Sequence, residues 1–184
     1  KKALAGDEKY KDYYIIRKGR KNKVPNNWGN FFAECPWTRF GDSDDEYYLH
    51  LFSKKQPDLN WHNPEVKEEV KDIMRFWLDM GVDGFREDVI TFISKRSGLP
   101  NGLPIPAACG MEHYMDGPNV HKYLREFRQV LNEYDCFVVG EAPMMNEKNA
   151  LRYIAEGPKP DLDIMFHFEH MDADCLFLDA LQTP

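Results

Sequence analysis

The stretch GVDGFREDVI, Gly81 to Ile90, decides the fold class, because a short apolar run follows a helical pattern and then ends in two opposite charges. Side chains two residues apart in a strand share a face, so Arg86 and Asp88 are predicted to point the same way near the carboxyl end of this strand. A buried arginine beside a carboxylate favours the ionised carboxylate that a nucleophile needs. We therefore interpret this strand end as a candidate site.

The segment before the strand has the pattern of an amphipathic helix. Asn63 suits the N-cap and Pro64 the first helical position, and Gly81 supplies the stop signal. An apolar stripe recurs at helical spacing, at Val66, Val70, Ile73, Phe76 and Trp77. The pattern predicts one long helix that packs this stripe against the core.

Helices and strands alternate after Gly81. A second helix is predicted from about Asn119 to Tyr134, with a buried face formed by Val120, Tyr123, Leu124, Phe127, Val130 and Leu131. The strand CFVVGE follows, then a helix over about 147–156 and a strand at LDIMFHF. Such alternation implies a parallel sheet with right-handed crossovers, with the active site at the carboxyl ends of the strands. The loop from Ser97 to Asn119 is then interpreted as a wall of the site.

The N-terminal third has a different sequence pattern. Aromatic runs such as YYII and EYYLHLF alternate there with turn-forming strings such as VPNNWGN and FGDSDDE. This pattern predicts irregular structure with short antiparallel strands over residues 1–62.

The composition excludes several classes of function. A formal charge of −7 argues against a nucleic-acid surface. The apolar runs fall far short of the roughly 18 residues of a membrane span, and the N-terminal stretch lacks the apolar core of a signal peptide. We therefore expect a cytoplasmic chain with no membrane partner. The cysteines and histidines lack metal-site spacing, so no metal or other cofactor is predicted.

Glu141 supplies a second carboxylate at a strand end. The apolar residues Val138 and Val139 precede it, and a surrounding of low dielectric constant raises the pKa of a carboxyl group. One charged and one neutral carboxyl group form the pair that a glycosidase uses. On spacing alone, a structural ion pair and an unrelated strand-end glutamate are equally consistent with these residues.

Three ordered strings resemble sequence signatures of the alpha-amylase superfamily, glycoside hydrolase family thirteen. They are QPDLNW (56–61), GFREDVI (84–90) and VGEAP (139–143). Longer strings resemble the oligo-1,6-glucosidase subfamily, namely NNWGNFF, YYLHLFSKKQPDLNWHNPEV, FWLDMGVDGFR and FHFEHMD. The resemblance extends over nearly the whole chain.

The resemblance implies roles for the charged residues. Asp88 would be the nucleophile at the end of the fourth barrel strand, Arg86 would orient it, and Glu141 would be the general acid/base on the fifth strand. The implied reaction is glycoside hydrolysis with retention of configuration. The implied fold class is α/β, a partial (β/α)8 TIM barrel of about strands 4 to 6 with the inserted small domain B. Domain B would comprise residues 1–62 and the barrel segment residues 63–184.

The resemblance also implies a substrate. Phe32, Phe52 and Gln56 match positions that line the sugar subsite, and Val89 matches a residue that accompanies preference for α-1,6 linkages. The expected partner is an α-1,6-linked gluco-oligosaccharide. Trehalose-6-phosphate hydrolysis is the alternative activity, and a non-catalytic amylase-like interaction protein is the alternative class.

Two features depart from the family pattern. Glu87 stands where the family usually has methionine or a similar residue, and strand alternation turns it towards the strand–helix layer, where a charge needs a partner or a path to solvent. The family signatures with the third catalytic aspartate and the sugar-binding histidines are absent. We therefore expect an internal fragment that is inactive alone. Its uncovered strand edges and apolar faces predict self-association, domain exchange or marginal stability.

Overall fold

The computed structural model of the chain describes residues 1–21, 23–32, 34–105, 109–155 and 160–168. These residues belong to two compact units, Lys1–Asp72 with Phe92–Asn119, and Ile73–Thr91 with the described part of Val120–Pro184. The helices are α1 (Glu8–Lys11), α2 (Pro64–Asp79), α3 (Val120–Leu131) and α4 (Glu147–Ile154). The strands are β1 (Ile16–Lys18), β2 (Trp37–Arg39), β3 (Glu46–Leu49), β4 (Gly84–Glu87), β5 (Phe137–Ala142) and β6 (Ile164–His167).

A three-stranded antiparallel sheet organises the first unit, in the order β1-β3-β2. Ile16 of β1 pairs with Tyr48 of β3, and Trp37 of β2 pairs with Leu49 of β3. The short antiparallel strands predicted for the N-terminal third are confirmed, although β1 begins only at the last residue of the YYII run.

A buried ion pair reinforces the first unit. The Lys95 ammonium donates to Asp58 Oδ1, and the two side chains are only 5% and 13% exposed. The other oxygen of Asp58 accepts a hydrogen bond from the Leu51 backbone N–H at 2.8 Å. Because both oxygens of this carboxylate have donors, the cost of burying its charge is offset. Asp58 therefore has a structural role in the QPDLNW string.

Helix α2 begins as the sequence predicts, but its apolar stripe is partly wrong. Asn63 Oδ1 accepts from the Glu65 N–H at 2.8 Å, so Asn63 caps the helix and Pro64 is its first residue. Val66 is buried, whereas the predicted stripe members Ile73, Phe76 and Trp77 are 55%, 57% and 47% exposed, and the buried residues further along the helix are instead Met74 and Leu78. The helix carries two adjacent apolar rows, and spacing alone does not say which row a neighbour covers.

A three-stranded parallel sheet organises the second unit, in the order β4-β5-β6. The parallel arrangement confirms the alternation of helices and strands in the sequence. Strand β4 begins at Gly84, two residues later than the VDGFR string suggests. Gly84 has φ of +152°, and a Cβ at this position would collide with the Phe137 backbone, so a side chain is excluded where β4 meets β5.

Helices α3 and α4 belong to this unit. Helix α3 ends three residues before the predicted Tyr134, and its predicted apolar face is confirmed, since all six residues are buried, namely Val120, Tyr123, Leu124, Phe127, Val130 and Leu131. Helix α4 is capped by Asn146, whose side chain accepts from the Asn149 N–H at 2.9 Å. The final residue predicted for this helix, residue 156, lies outside the described residues. Within the described parts of the chain, no helix has the length and apolar content that crossing a membrane requires.

Candidate active site

The carboxyl ends of β4 and β5 bring three charged side chains to one edge of the parallel sheet. Arg86 lies opposite Val139 in the β4–β5 register. Asp88 follows the last residue of β4, and Glu141 is the penultimate residue of β5. Since residues two apart share a strand face, Glu141 lies on the same face as Val139 and therefore as Arg86.

The Arg86 guanidinium bridges the two carboxyl groups. Its Nη1 donates to Asp88 Oδ1 at 2.5 Å, and its Nη2 donates to Glu141 Oε2. A planar guanidinium presents its donors in a fixed fork, so one arginine sets the positions of both carboxyl groups. The structure thus brings together the three residues that the sequence nominated for catalysis.

The expectation of a buried arginine is wrong. The side chains of Arg86 and Asp88 are 49% and 65% exposed, whereas that of Glu141 is only 16% exposed. The reason is the open sheet face on which they lie, where Phe137, Ile164 and Phe166 are also about half exposed. Spacing indicates which residues share a face but not whether that face is covered.

Glu141 has the electrostatics of a general acid. Burial is the main cause that raises the pKa of this carboxyl group, and a hydrogen bond with Asp88 raises it further. The positive charge of Arg86 and the Val89 backbone N–H act in the opposite direction. The net effect keeps Glu141 protonated to higher pH than an ordinary glutamate, which agrees with the direction expected from the sequence.

Val89 has an unusual backbone conformation immediately after Asp88. Its φ is +44°, in the left-handed region that a β-branched residue rarely adopts. The backbone N–H of Val89 acts to lower the pKa of the Glu141 carboxyl group. The turn after β4 therefore contributes to the site through its main chain, which the sequence analysis missed because no sequence signal marks a strained valine.

The other nominated residues lie in the first unit. The rings of Phe32 and Phe52 meet edge to face with centroids 6.3 Å apart, and Phe32 is 60% exposed. Gln56 is exposed, and its N–H donates to the Ser53 carbonyl at 2.8 Å. The structure brings the two phenylalanines into contact and places Gln56 in a surface turn.

Two buried polar residues hold these phenylalanines, and the sequence analysis missed both. Asn30 Oδ1 accepts from the Phe32 N–H at 3.0 Å, and Asn30 Nδ2 donates to the Phe52 carbonyl at 3.3 Å. His50 Nδ1 lies 2.9 Å from the same carbonyl, and because a carbonyl only accepts, this nitrogen carries the proton. Asparagine two residues before an exposed aromatic residue is an Asx-turn signal that could have identified Asn30.

The described residues contain no cluster of three or more histidine, cysteine or acidic side chains that could hold a metal ion. Cys35, Cys109 and Cys136 are free thiols. Cys175 and His170 lie outside the described residues.

Comparison with known proteins gives a consistent result. The family model described as the catalytic domain of alpha amylase matches residues 1–180. An oligo-1,6-glucosidase of Bacillus cereus is 51% identical over 171 residues, which are 91% of this chain and 30% of that protein. An oligo-1,6-glucosidase of Parageobacillus thermoglucosidasius is 50% identical with the same coverage. The chain thus spans about 30% of the length of these curated relatives.

Solved structures agree with the sequence comparison. The crystal structure of a trehalose-6-phosphate hydrolase from Bacillus licheniformis superposes with a TM-score of 0.85 at 38% sequence identity. The similarity covers 94% of this chain and 31% of that chain.

Proposed function

This chain belongs to the alpha-amylase family, and on that premise we propose that it is the part of a retaining α-glucosidase that carries the nucleophile and the general acid/base, in an enzyme acting on α-1,6-linked gluco-oligosaccharides. The fold class predicted from the sequence, a partial (β/α)8 barrel with an inserted small domain, is confirmed by the same matches. We further propose that residues 1–62 form the inserted domain and residues 63–184 the barrel segment. The cytoplasmic location stays a prediction.

The observation that carries the proposal is the bridging of Asp88 and Glu141 by one guanidinium, Arg86. Two carboxyl groups that accept hydrogen bonds from the same planar guanidinium are held close together. Inverting glycosidases need a gap of roughly 6.5–9.5 Å to admit water between the carboxyl groups, whereas retaining enzymes use the shorter separation. The arrangement supports direct attack by Asp88 on the sugar.

The reaction follows from the two protonation states. Glu141 donates its proton to the glycosidic oxygen as the bond from C1 to that oxygen breaks, and Asp88 forms a covalent bond to C1. The Glu141 carboxylate then takes a proton from water, and that water displaces Asp88 from C1. Arg86 stabilises the ionised Asp88 before attack and when the carboxylate is released.

Substrate choice is proposed from the family resemblance. Phe32, Phe52 and Gln56 would line the sugar subsite beside the cleaved bond, and Val89 would favour α-1,6 linkages. Asn30 and His50 support this proposal, because a sugar platform must be rigid and they fix the backbone at Phe32 and Phe52.

The substrate proposal is tested by assaying the full-length protein on isomaltose and on trehalose 6-phosphate. We expect turnover of isomaltose. Trehalose 6-phosphate is the second candidate, because a solved hydrolase of that name superposes closely. If the protein turns over trehalose 6-phosphate and not isomaltose, trehalose-6-phosphate hydrolysis becomes the proposed activity. Inactivity on both would favour the non-catalytic amylase-like class.

Self-association is expected for the 184-residue chain by itself. The exposed row of α2 contains Ile73, Phe76 and Trp77, and each of these side chains is about half exposed. Large uncovered apolar patches promote association in water. Sedimentation velocity should therefore show a mass that rises with protein concentration.

The matched variants locate the associating surface. The change Phe76→Lys with Trp77→Glu should lower the average mass, because it places charges in the α2 row. Lys55→Glu, an exposed change in the first unit, should leave the mass unchanged. A wild-type chain that stays monomeric at millimolar concentration would contradict the prediction.

A further inference from the structure

Glu87, a residue of intermediate burial, carries a carboxyl group that the proposed mechanism does not use. It is the last residue of β4, between Arg86 and Asp88, and the pleat of the strand turns it to the opposite sheet face. Its Oε2 atom is shielded from solvent and accepts no hydrogen bond among the described residues. A buried carboxylate oxygen without a donor is costly, whereas a neutral carboxyl group is far less so.

The charged groups that face Glu87 are Arg128 from α3 and Asp163, which directly precedes β6. Arg128 already donates hydrogen bonds to other groups. Its Nη1 donates to Asp163 Oδ2 at 3.3 Å, and its Nε and Nη2 donate to the Asp161 carbonyl at 3.3 and 3.2 Å. Asp163 Oδ2 also accepts from the Val138 N–H at 2.8 Å. Glu87 and Asp163 therefore share one guanidinium that is oriented towards Asp163.

Protonation resolves this competition. Burial raises the pKa of Glu87 from 4.5 to about 7, with the positive charge of Arg128 opposing the rise and the negative charge of Asp163 adding to it. A neutral Glu87 leaves the bond between Arg128 and Asp163 intact. An ionised Glu87 attracts Arg128 away from Asp163, whose carboxylate also holds the β5 backbone at Val138.

We propose that Glu87 is a proton-dependent positioning residue for the catalytic strand. When protonated, it packs between the sheet and α3, and β4 holds Arg86 and Asp88 in register with Glu141. When ionised, it strains the layer beneath β4 and displaces the two residues joined to it by peptide bonds. The effect on catalysis rests on the proposed function, whereas the effect on protonation and stability does not.

The sign of the stability effect follows from the two protonation states. Glu87 has a higher pKa in the folded chain than in the unfolded chain, so the folded chain holds an extra proton between pH 4.5 and about 7. The free energy of unfolding therefore falls as the pH rises through this window. The full change over the titration is about 300-fold in the folding equilibrium constant, or about 3 kcal/mol at 1.36 kcal/mol for each pKa unit.

Carbon-13 NMR of the glutamate carboxyl carbons tests the protonation directly. One resonance should titrate with a midpoint near 7 and disappear in Glu87→Gln. A midpoint for Glu87 near its ordinary value of 4.5 would overturn the proposal.

Urea unfolding between pH 5 and 8 tests the linkage. The stability of Glu87→Gln relative to the wild-type chain should rise with pH, by up to about 70-fold in the folding equilibrium constant over this range. Glu87→Met, whose side chain has no hydrogen-bonding group of the carboxyl kind, should show the same rise in relative stability with pH. The control is Glu147→Gln, at an exposed glutamate of the same unit. The difference in stability between this variant and the wild-type chain should not change with pH. A constant difference for Glu87→Gln would overturn the proposal.

The pH profile of kcat/KM in the full-length protein tests the link to the site. Glu87→Gln should move the alkaline limb to higher pH and leave the acid limb in place. Superimposable profiles would overturn the positioning role even if Glu87 titrates near 7. A full-length protein without glucosidase activity would contradict the proposed function, while the NMR and unfolding experiments would still decide the protonation of Glu87.

Discussion

Replacement of Asp88 by asparagine in the full-length protein is expected to lower kcat on α-glucosides by about 10⁴-fold or more, the size of loss seen when a hydrolase loses its nucleophile. The asparagine amide has the shape of the carboxylate but does not attack C1. Asp88 is 65% exposed, so the change removes no buried interaction. Initial rates on isomaltose and on 4-nitrophenyl α-glucoside measure the loss.

A covalent label identifies the nucleophile independently of rates. A fluorinated glucosyl fluoride that forms the intermediate but hydrolyses slowly should add one sugar mass to the peptide containing Asp88. Asp83→Asn, at an exposed aspartate that precedes the same strand, is the matched control and should retain full activity. Full activity of Asp88→Asn, or labelling of another peptide, would contradict the assignment.

The reliable part of the sequence analysis was the part fixed by local periodicity. Helix α3 buries every residue of its predicted face, and Asn63 caps α2 where its side chain and the following proline indicate. Both features depend on interactions within a few residues, so the sequence contains them directly. The parallel sheet followed from the alternation of these helices with short apolar strands.

Which faces are buried was predicted less reliably, because burial depends on residues that are distant in the sequence. The row of α2 with Phe76 and Trp77 is as apolar as the row with Met74 and Leu78, yet only the second is buried. Arg86 was expected to be buried for the same reason, and it is half exposed. Periodicity finds an apolar or charged face, whereas burial needs a partner that the local pattern does not specify.

The candidate site shows the same division. Strand alternation placed Arg86 and Asp88 on one face and turned Glu87 to the other, which required only the local pattern. The contact of Arg86 with Glu141 and the surroundings of Glu87 depend on the register of separate strands and on α3. The left-handed backbone conformation of Val89 could not be predicted from the sequence, because glycine or asparagine usually occupies such positions.

Replacement of Glu141 by glutamine is expected to produce a loss that depends on the leaving group. With isomaltose, whose sugar leaving group needs a proton, kcat/KM should fall by about 10²–10⁴-fold, the usual contribution of a general acid. With 4-nitrophenyl α-glucoside, whose leaving group departs without protonation, kcat/KM should fall much less. Steady-state rates on the two substrates measure the difference.

The second half of the reaction provides the control. Without a general base, the covalent intermediate should accumulate on the aryl substrate, and azide should restore turnover because it attacks C1 without losing a proton. The product should be the α-glucosyl azide, since two displacements retain configuration. In the isomaltose profile, the part of the alkaline limb that reflects deprotonation of Glu141 should also vanish, because glutamine does not titrate. Equal losses on both substrates, with no azide effect, would mean that Glu141 positions the site and does not transfer the proton.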